Sequence, residues 1–169
     1  DPLSELDPAR SRRFDRASAL VTLGVERGLA GASLESGGVG LVAGTAFGNV
    51  ERSVAFLRRL FERGPGFAGP ADFRHLVPSA PSGNASLYAG LTGPVISVSD
   101  LSTSAESALE VASVFVSLGL AQSVLSGSAE PGARVNPDIA VGESRLRASR
   151  LPLGGRARAL ARHEERIPP

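Results

Sequence analysis

Cysteine, lysine, methionine and tryptophan are absent from the 169 residues, and histidine occurs only at His75 and His163. Without cysteine there is no disulfide framework, no thiolate nucleophile and no thiolate metal site. Two histidines exclude a multi-histidine metal centre within one chain. With no lysine, all 18 basic residues are arginine, and against 17 acidic residues they leave a net charge of +1. So small an excess gives the whole molecule no electrostatic footprint for nucleic acid. The arginine skew, beside the richness in alanine and glycine, reads as GC-rich coding. No apolar run approaches the 18 residues of a membrane span, and no signal-peptide pattern is present, so a soluble, cytoplasmic protein is expected. The lack of any methionine, including a first one, implies that the natural start lies upstream.

What is present is a globular balance, 42% hydrophobic and 21% charged, of the size of one domain. The charge is uneven. Residues 1–63 hold nine arginines and eight acids, residues 64–130 one and five, and residues 131–169 eight and four. The sparsely charged middle is expected to be the heart of the fold, because charges are rarely buried unpaired. Residues 1–130 are taken as the domain and 131–169 as an Arg-rich C-terminal extension, a solvated surface element or linker.

Residues 1–10, with Pro2 and Pro8, read as an extended lead-in. Phe14, Ala17, Leu20, Val21 and Val25 recur at helical spacing from about Arg13 to Ala30. The glycine-bracketed run 38–44 suggests a buried strand. Residues 50–63 alternate Val50, Val54, Leu57 and Phe61 with Arg52, Arg58, Arg59 and Arg63, an amphipathic helix ended by Gly64-Pro65. Residues 64–83 are rich in glycine and proline and read as a loop, followed by a short helix from Asn84 to Leu91. The β-branched run 94–100 predicts a strand and 103–118 a helix apolar on nearly every face, with Thr103 and Glu106 spaced as a capping box. Residues 122–130 predict another strand, and the alternation argues for an α/β layered fold.

The junction of strand 94–100 with helix 103–118 is where chemistry would sit. A residue at a helix N-terminus meets free backbone N–H groups and the positive end of the dipole, which stabilise negative charge. On local chemistry alone Ser102 is either a nucleophile beside an oxyanion site or an N-cap. The glycines at 37, 38, 40, 44 and 48 do not make a phosphate loop, since no P-loop motif exists without lysine and the dinucleotide pattern lacks its third glycine. They fit close backbone approach around a strand end. Arg145, Arg147 and Arg150 fit a solvated tail, or a grip on an acidic or phosphorylated partner.

The segments GLVAGTAFGNVE (40–51), FRHLVPSAPSGNASLYAGLTGPVISVSD (73–100), STSAESALEVASVFVSLG (102–119) and SVLSGSAE (123–130) resemble, in order and spacing, the N-terminal half of a β-ketoacyl synthase of the thiolase-like superfamily. ARSRRFDRASAL (9–20) is similar to the helix before that core, so the resemblance covers roughly three quarters of the chain. It implies a thiolase-like α/β half-fold, a mixed sheet with a buried central helix packed between layers. It departs where the family's chemistry sits: the family has a cysteine at the turn after the strand, and here Ser102 stands in its place. A serine hydroxyl needs a positioned base, whereas a cysteine carries a substantial thiolate fraction. The family's two histidines and lysine come from a C-terminal half, and neither His75 nor His163 fits their places.

The resemblance therefore implies no catalytic residue in this chain and no cofactor or metal. One half of the family fold would leave a large apolar surface uncovered, so a partner is expected. The family's dimer pairing maps the interface onto Pro94, Val95, Ile96, Ser97, Val98, Ser99 and Asp100. The segment 73–92 would wall an acyl pocket through Phe73, Leu76, Asn84, Leu87 and Leu91. The leading expectation is a subunit of the chain-length-factor type, paired with an active ketosynthase and served by an acyl carrier protein in fatty-acid, polyketide or polyene synthesis. The alternatives are an acyltransferase that uses Ser102 as nucleophile, and a homodimeric acyl-binding scaffold.

Overall fold

The computed structural model describes residues 1–67 and 69–130, and the backbone of 147–150. Its helices are α1 (Pro8–Ser11), α2 (Arg16–Ala32), α3 (Val50–Arg63), α4 (Pro70–Phe73), α5 (Ala80–Ala89) and α6 (Ser104–Ser117), and its strands are β1 (Val39–Gly44), β2 (Val95–Val98), β3 (Ser123–Ser128) and β4 (Arg147–Arg150). The strands form one mixed sheet in the order β2-β1-β3-β4, with β1 parallel to both neighbours and β4 antiparallel to β3. This is the α/β fold with a mixed sheet that the sequence led us to expect.

Strand periodicity divides the core into two layers. Val39, Leu41 and Ala43 of β1 and Leu125 of β3 pack against Val21 and Val25 of α2 and Ala85 of α5. Val42 and Val124, one residue out of phase, pack against Ala108, Ala112 and Val116 of α6 on the other side. Residues 39–44 are all buried, as a strand covered on both faces must be. The small side chains of α6 let that helix lie close on the sheet. Its Leu109 and Val114, and Leu118 just after it, stay exposed, on faces that no element of this chain covers among the described residues.

Several local expectations are corrected. Residues 1–10 are helical turns: a 3-10 turn, Pro2–Glu5, precedes α1, and the Asp1 and Asp7 carboxylates cap the two. Proline suits such first positions because its missing N–H would have no intrahelical partner. Helix α2 starts at Arg16 because the Asp15 carboxylate accepts from the Ser18 N–H at 2.8 Å. Helix α5 begins at Ala80, with Pro81 in its first turn, and ends before Gly90, which takes φ 70°. The stretch 64–83 thus holds α4 and the start of α5. Helix α3 has the expected bounds, but its stripe Val50, Val54, Leu57 and Phe61 faces outward. It is Phe56 that is buried, edge-on to Phe73 at 5.8 Å between centroids.

Candidate functional site

Glycine 44 places the candidate turn. A Cβ there would lie 2.2 Å from the Ser104 carbonyl oxygen and 2.8 Å from its carbon. Only a residue without a side chain lets the first turn of α6 approach the end of β1 so closely. The expected backbone role of this glycine is seen here, and the approach sets the β2–α6 junction over the ends of the parallel strands.

At the junction a 3-10 turn, Leu101–Thr103, precedes α6. Leu101 is the residue in the left-handed region, at φ 43°, a conformation that costs a leucine about 1–2 kcal/mol. It is 66% exposed, so the apex of the turn presents an apolar side chain, one position before the exposed Ser102. The Thr103–Glu106 capping box does not form. The Thr103 hydroxyl donates to the Asp100 carbonyl at 2.9 Å instead, and the Ser104 hydroxyl accepts from the Asp100 N–H at 2.9 Å. The Ser107 hydroxyl donates to the Asp100 carboxylate at 2.6 Å. That bond, with a smaller contribution from Thr103, holds the Asp100 carboxyl below its usual range. The carboxylate is thus held by side-chain hydroxyls, while neither Asp100 nor Thr103 caps a backbone N–H of the turn or the helix through its side chain.

The Ser102 hydroxyl has no hydrogen-bond partner among the described residues. His75 is not brought to it: its Nε2 accepts from the Arg74 Nε at 3.0 Å, and its Nδ1 lies 3.5 Å from an oxygen of the buried Asp15 carboxylate. That carboxylate also accepts from the Asn49 side-chain amide, which donates in addition to the His75 carbonyl at 2.9 Å. Asp15 thus ties the starts of α2 and α3 to the loop before α5. Among the described residues no cluster of three or more histidine, cysteine or acidic side chains is placed to hold a metal ion, and no helix is long and apolar enough to cross a membrane.

The candidate interface residues lie on and beside an edge strand. β2 pairs with β1 alone among the described strands, so its outer edge has no strand partner. Val95 leans toward α2 and α5, where the Ser97 and Ser82 hydroxyls share a hydrogen bond at 2.6 Å. Val98 leans toward α6, and Ile96 is 38% exposed. Pro94 is half-buried; Ser99 and Asp100 are exposed.

The candidate pocket residues divide. Asn84 and Leu87 line a cavity of about 600 Å³ between the N-terminal segment and α5. Phe73 is exposed beside Phe56, Leu76 is half-buried, and Leu91 packs on the α2 side of the sheet, so these three do not line that cavity. The same cavity is lined by Arg10, Arg12, Arg13 and Arg74, a grouping that sequence reasoning missed. The run Arg10-Ser-Arg-Arg13 was the one signal, and it lay within a segment of nearly balanced charge. Arg145 and His163 lie outside the described residues, as do the side chains of Arg147 and Arg150.

Comparison with known proteins agrees with this architecture. Residues 6–161 match the family model described as the N-terminal domain of β-ketoacyl synthase. Among solved structures, the ishigamide ketosynthase/chain length factor superposes with a TM-score of 0.64 at 25% identity, covering 77% of this chain and 38% of that one. The ketosynthase ApeO in complex with its chain length factor ApeC, from Xenorhabdus doucetiae, gives 0.61 at 24%, covering 76% and 52%. AntDE:AntF, a type II polyketide synthase acyl-carrier protein in complex with its ketosynthase, gives 0.66 at 24%, covering 77% and 39%. The chain thus spans between about a third and a half of the structures it resembles. No curated protein matches its sequence. With residues 6–161 of its 169 matched by the family model and a thiolase-like half-fold around the β2–α6 turn, the chain belongs to the β-ketoacyl synthase family, through that family's N-terminal domain.

Proposed function

We propose that the protein is a non-catalytic ketosynthase-like subunit of the chain-length-factor type. It pairs with an active, cysteine-bearing ketosynthase and shapes the acyl pocket of that partner while an acyl carrier protein delivers the chain. The observation that carries this reading is the β2–α6 turn. The family fold is kept around it, yet it offers Leu101 and Ser102 where the family resemblance implies a cysteine. No base is within hydrogen-bond reach of Ser102 among the described residues, where His75 is turned to Arg74 and Asp15.

Two further features support the pairing. The open edge of β2 is suited to strand addition, which satisfies backbone groups that water must otherwise solvate. The uncovered Leu109, Val114 and Leu118 give a second layer something to bury. Pro94–Asp100 form the interface in this reading, and Phe73, Leu76, Asn84, Leu87 and Leu91 lie on the segment that reaches the partner's pocket. Residues 1–130 are the ketosynthase-like domain, and 131–169 its extension.

The test is reconstitution with a full-length ketosynthase and a loaded acyl carrier protein. Ser102→Ala should leave product formation unchanged, and replacing the partner's cysteine should abolish it. Leu87→Trp should change product length. If Ser102→Ala abolished turnover and Ser102 gained the mass of an acyl group, the chain would be an acyltransferase and the subunit reading would fail.

A further inference from the structure

We propose that helix α3 is a self-association surface, on which a second copy of this chain lays its own α3 in antiparallel register. Val50, Val54, Leu57 and Phe61 are all exposed, Phe61 to 83%, so the most apolar side of the helix faces solvent. Their spacing of four, three and four residues is that of a coiled-coil seam. A helix that packs on a core carries a broader stripe. The body of the protein meets α3 elsewhere, through the buried Phe56, with Ser53 and Leu60 half-buried beside it.

Shape and charge both select a second copy. About a two-fold axis the antiparallel stripe complements itself: Val54 meets Leu57 of the other copy, and Val50 meets its Phe61, so each smaller side chain faces a larger one. Glu51 and Arg58 flank the seam on one side, seven residues apart and both exposed. Neither forms an ion pair within the chain among the described residues. In the antiparallel register Glu51 of each copy lies beside Arg58 of the other, which gives two symmetric ion pairs. A parallel pair would set these residues against the uncharged Ser53 and Leu60. A lipid surface fits less well. Arg52, Arg59 and Arg63 lie on the side of α3 opposite the seam, and Arg58 shares its flank with Glu51 and Glu62.

The contact is small. A helix of 14 residues is about 21 Å long, and four side chains from each copy bury on the order of 1,000 Å² in total, at the low end for a specific interface. The dimer is therefore weak and forms only in concentrated protein. It leaves the β2 edge open, so it does not depend on a ketosynthase partner and does not compete with one. In dilute solution a complex with a ketosynthase stays one-to-one.

Sedimentation equilibrium of the full chain, from about 10 μM to about 1 mM, tests it by following the monomer–dimer equilibrium. Glu51→Arg and Arg58→Glu should each weaken the dimer about tenfold, because two attractive pairs become two repulsive ones. An equimolar mixture of these two variants should form a heterodimer, and the double variant should recover the native constant. Arg52→Glu makes the same charge change on the far side of the helix and should alter nothing, and Ile96→Asp on β2 should alter nothing either. Leu57→Asp should abolish association, since it sets a charge in the middle of the seam. If circular dichroism shows that Glu51→Arg melts the start of α3, Arg58→Glu and Leu57→Asp carry the test. A chain that stays monomeric throughout, or a dimer that survives Leu57→Asp and is lost in Ile96→Asp, would overturn the assignment. So would a failure of the folded charge variants to rescue each other. Binding to phosphatidylserine vesicles without self-association, lost in Leu57→Asp, would also overturn it and make the seam a membrane contact.

Discussion

Replacing Gly44 with alanine tests whether the α6 N-terminus is held where the structure puts it. The added Cβ would stand 2.2 Å from the Ser104 carbonyl oxygen, 2.8 Å from its carbon and 3.4 Å from the Ala105 nitrogen. All three are backbone atoms at the start of a helix packed on the sheet, so no flexible side chain can move aside. Reaching an ordinary contact needs a shift of about 1 Å between β1 and α6, in a core where overpacking costs about 1–3 kcal/mol or more. Alanine returns about 0.4–1 kcal/mol by restricting the unfolded chain, so the net loss should be about 2 kcal/mol. Gly31→Ala, in α2 with nothing within 4 Å of its Cβ, is the control. It should gain up to about 1 kcal/mol. Urea unfolding followed by circular dichroism reads both. A Gly44→Ala midpoint equal to that of the native chain would refute the close approach, and with it the placement of Ser102.

Other perturbations follow from the same contacts. Asp15→Ala removes the α2 cap and leaves one of the two Asn49 amide N–H donors unpaired, so it should cost about 2–3 kcal/mol in urea unfolding. Ser126 is buried in β3 with its hydroxyl unpartnered among the described residues, so Ser126→Ala should raise stability by up to about 1 kcal/mol, read as a higher Tm. Ser107→Ala should bring the Asp100 pKa back up toward the ordinary 3.8, followed by carboxyl-carbon NMR titration. Because the folded value is the depressed one, the stabilisation is present above the unfolded pKa. It is lost as pH falls through the folded value, so the native and Ser107→Ala chains should converge in stability on acidification.

The residues made some of this legible and concealed the rest. Strand β1 was readable because a glycine-bracketed apolar run admits few alternatives, and α3 because its arginines recur with a helical period. The family segments around 40–51 and 94–130 carried the fold. What period could not give was direction: the apolar stripe of α3 looks like a core face, yet only Phe56 is buried, because the described elements that touch the helix do so away from that stripe. Helix α6 likewise reads as buried on every side, while the described residues cover just one stripe of it. The capping box failed because Thr103 and Ser104 turn back to the Asp100 backbone, a local competition that spacing does not reveal. The arginine cavity was out of reach for a different reason. Arg74 is distant in sequence from Arg10, Arg12 and Arg13, and only the packing of α5 beside the N-terminal segment joins them.

The central claim, that this chain completes a ketosynthase and does not itself catalyse, rests on the open β2 edge and the Leu101–Ser102 turn. Its most direct test is the molar mass, by light scattering, of the chain co-expressed with a full-length, cysteine-bearing ketosynthase from the same source. The account predicts a one-to-one heterodimer that Ile96→Asp dissociates and Ser102→Ala leaves intact. A homodimer of this chain that excludes the ketosynthase, unaffected by Ile96→Asp, would contradict it.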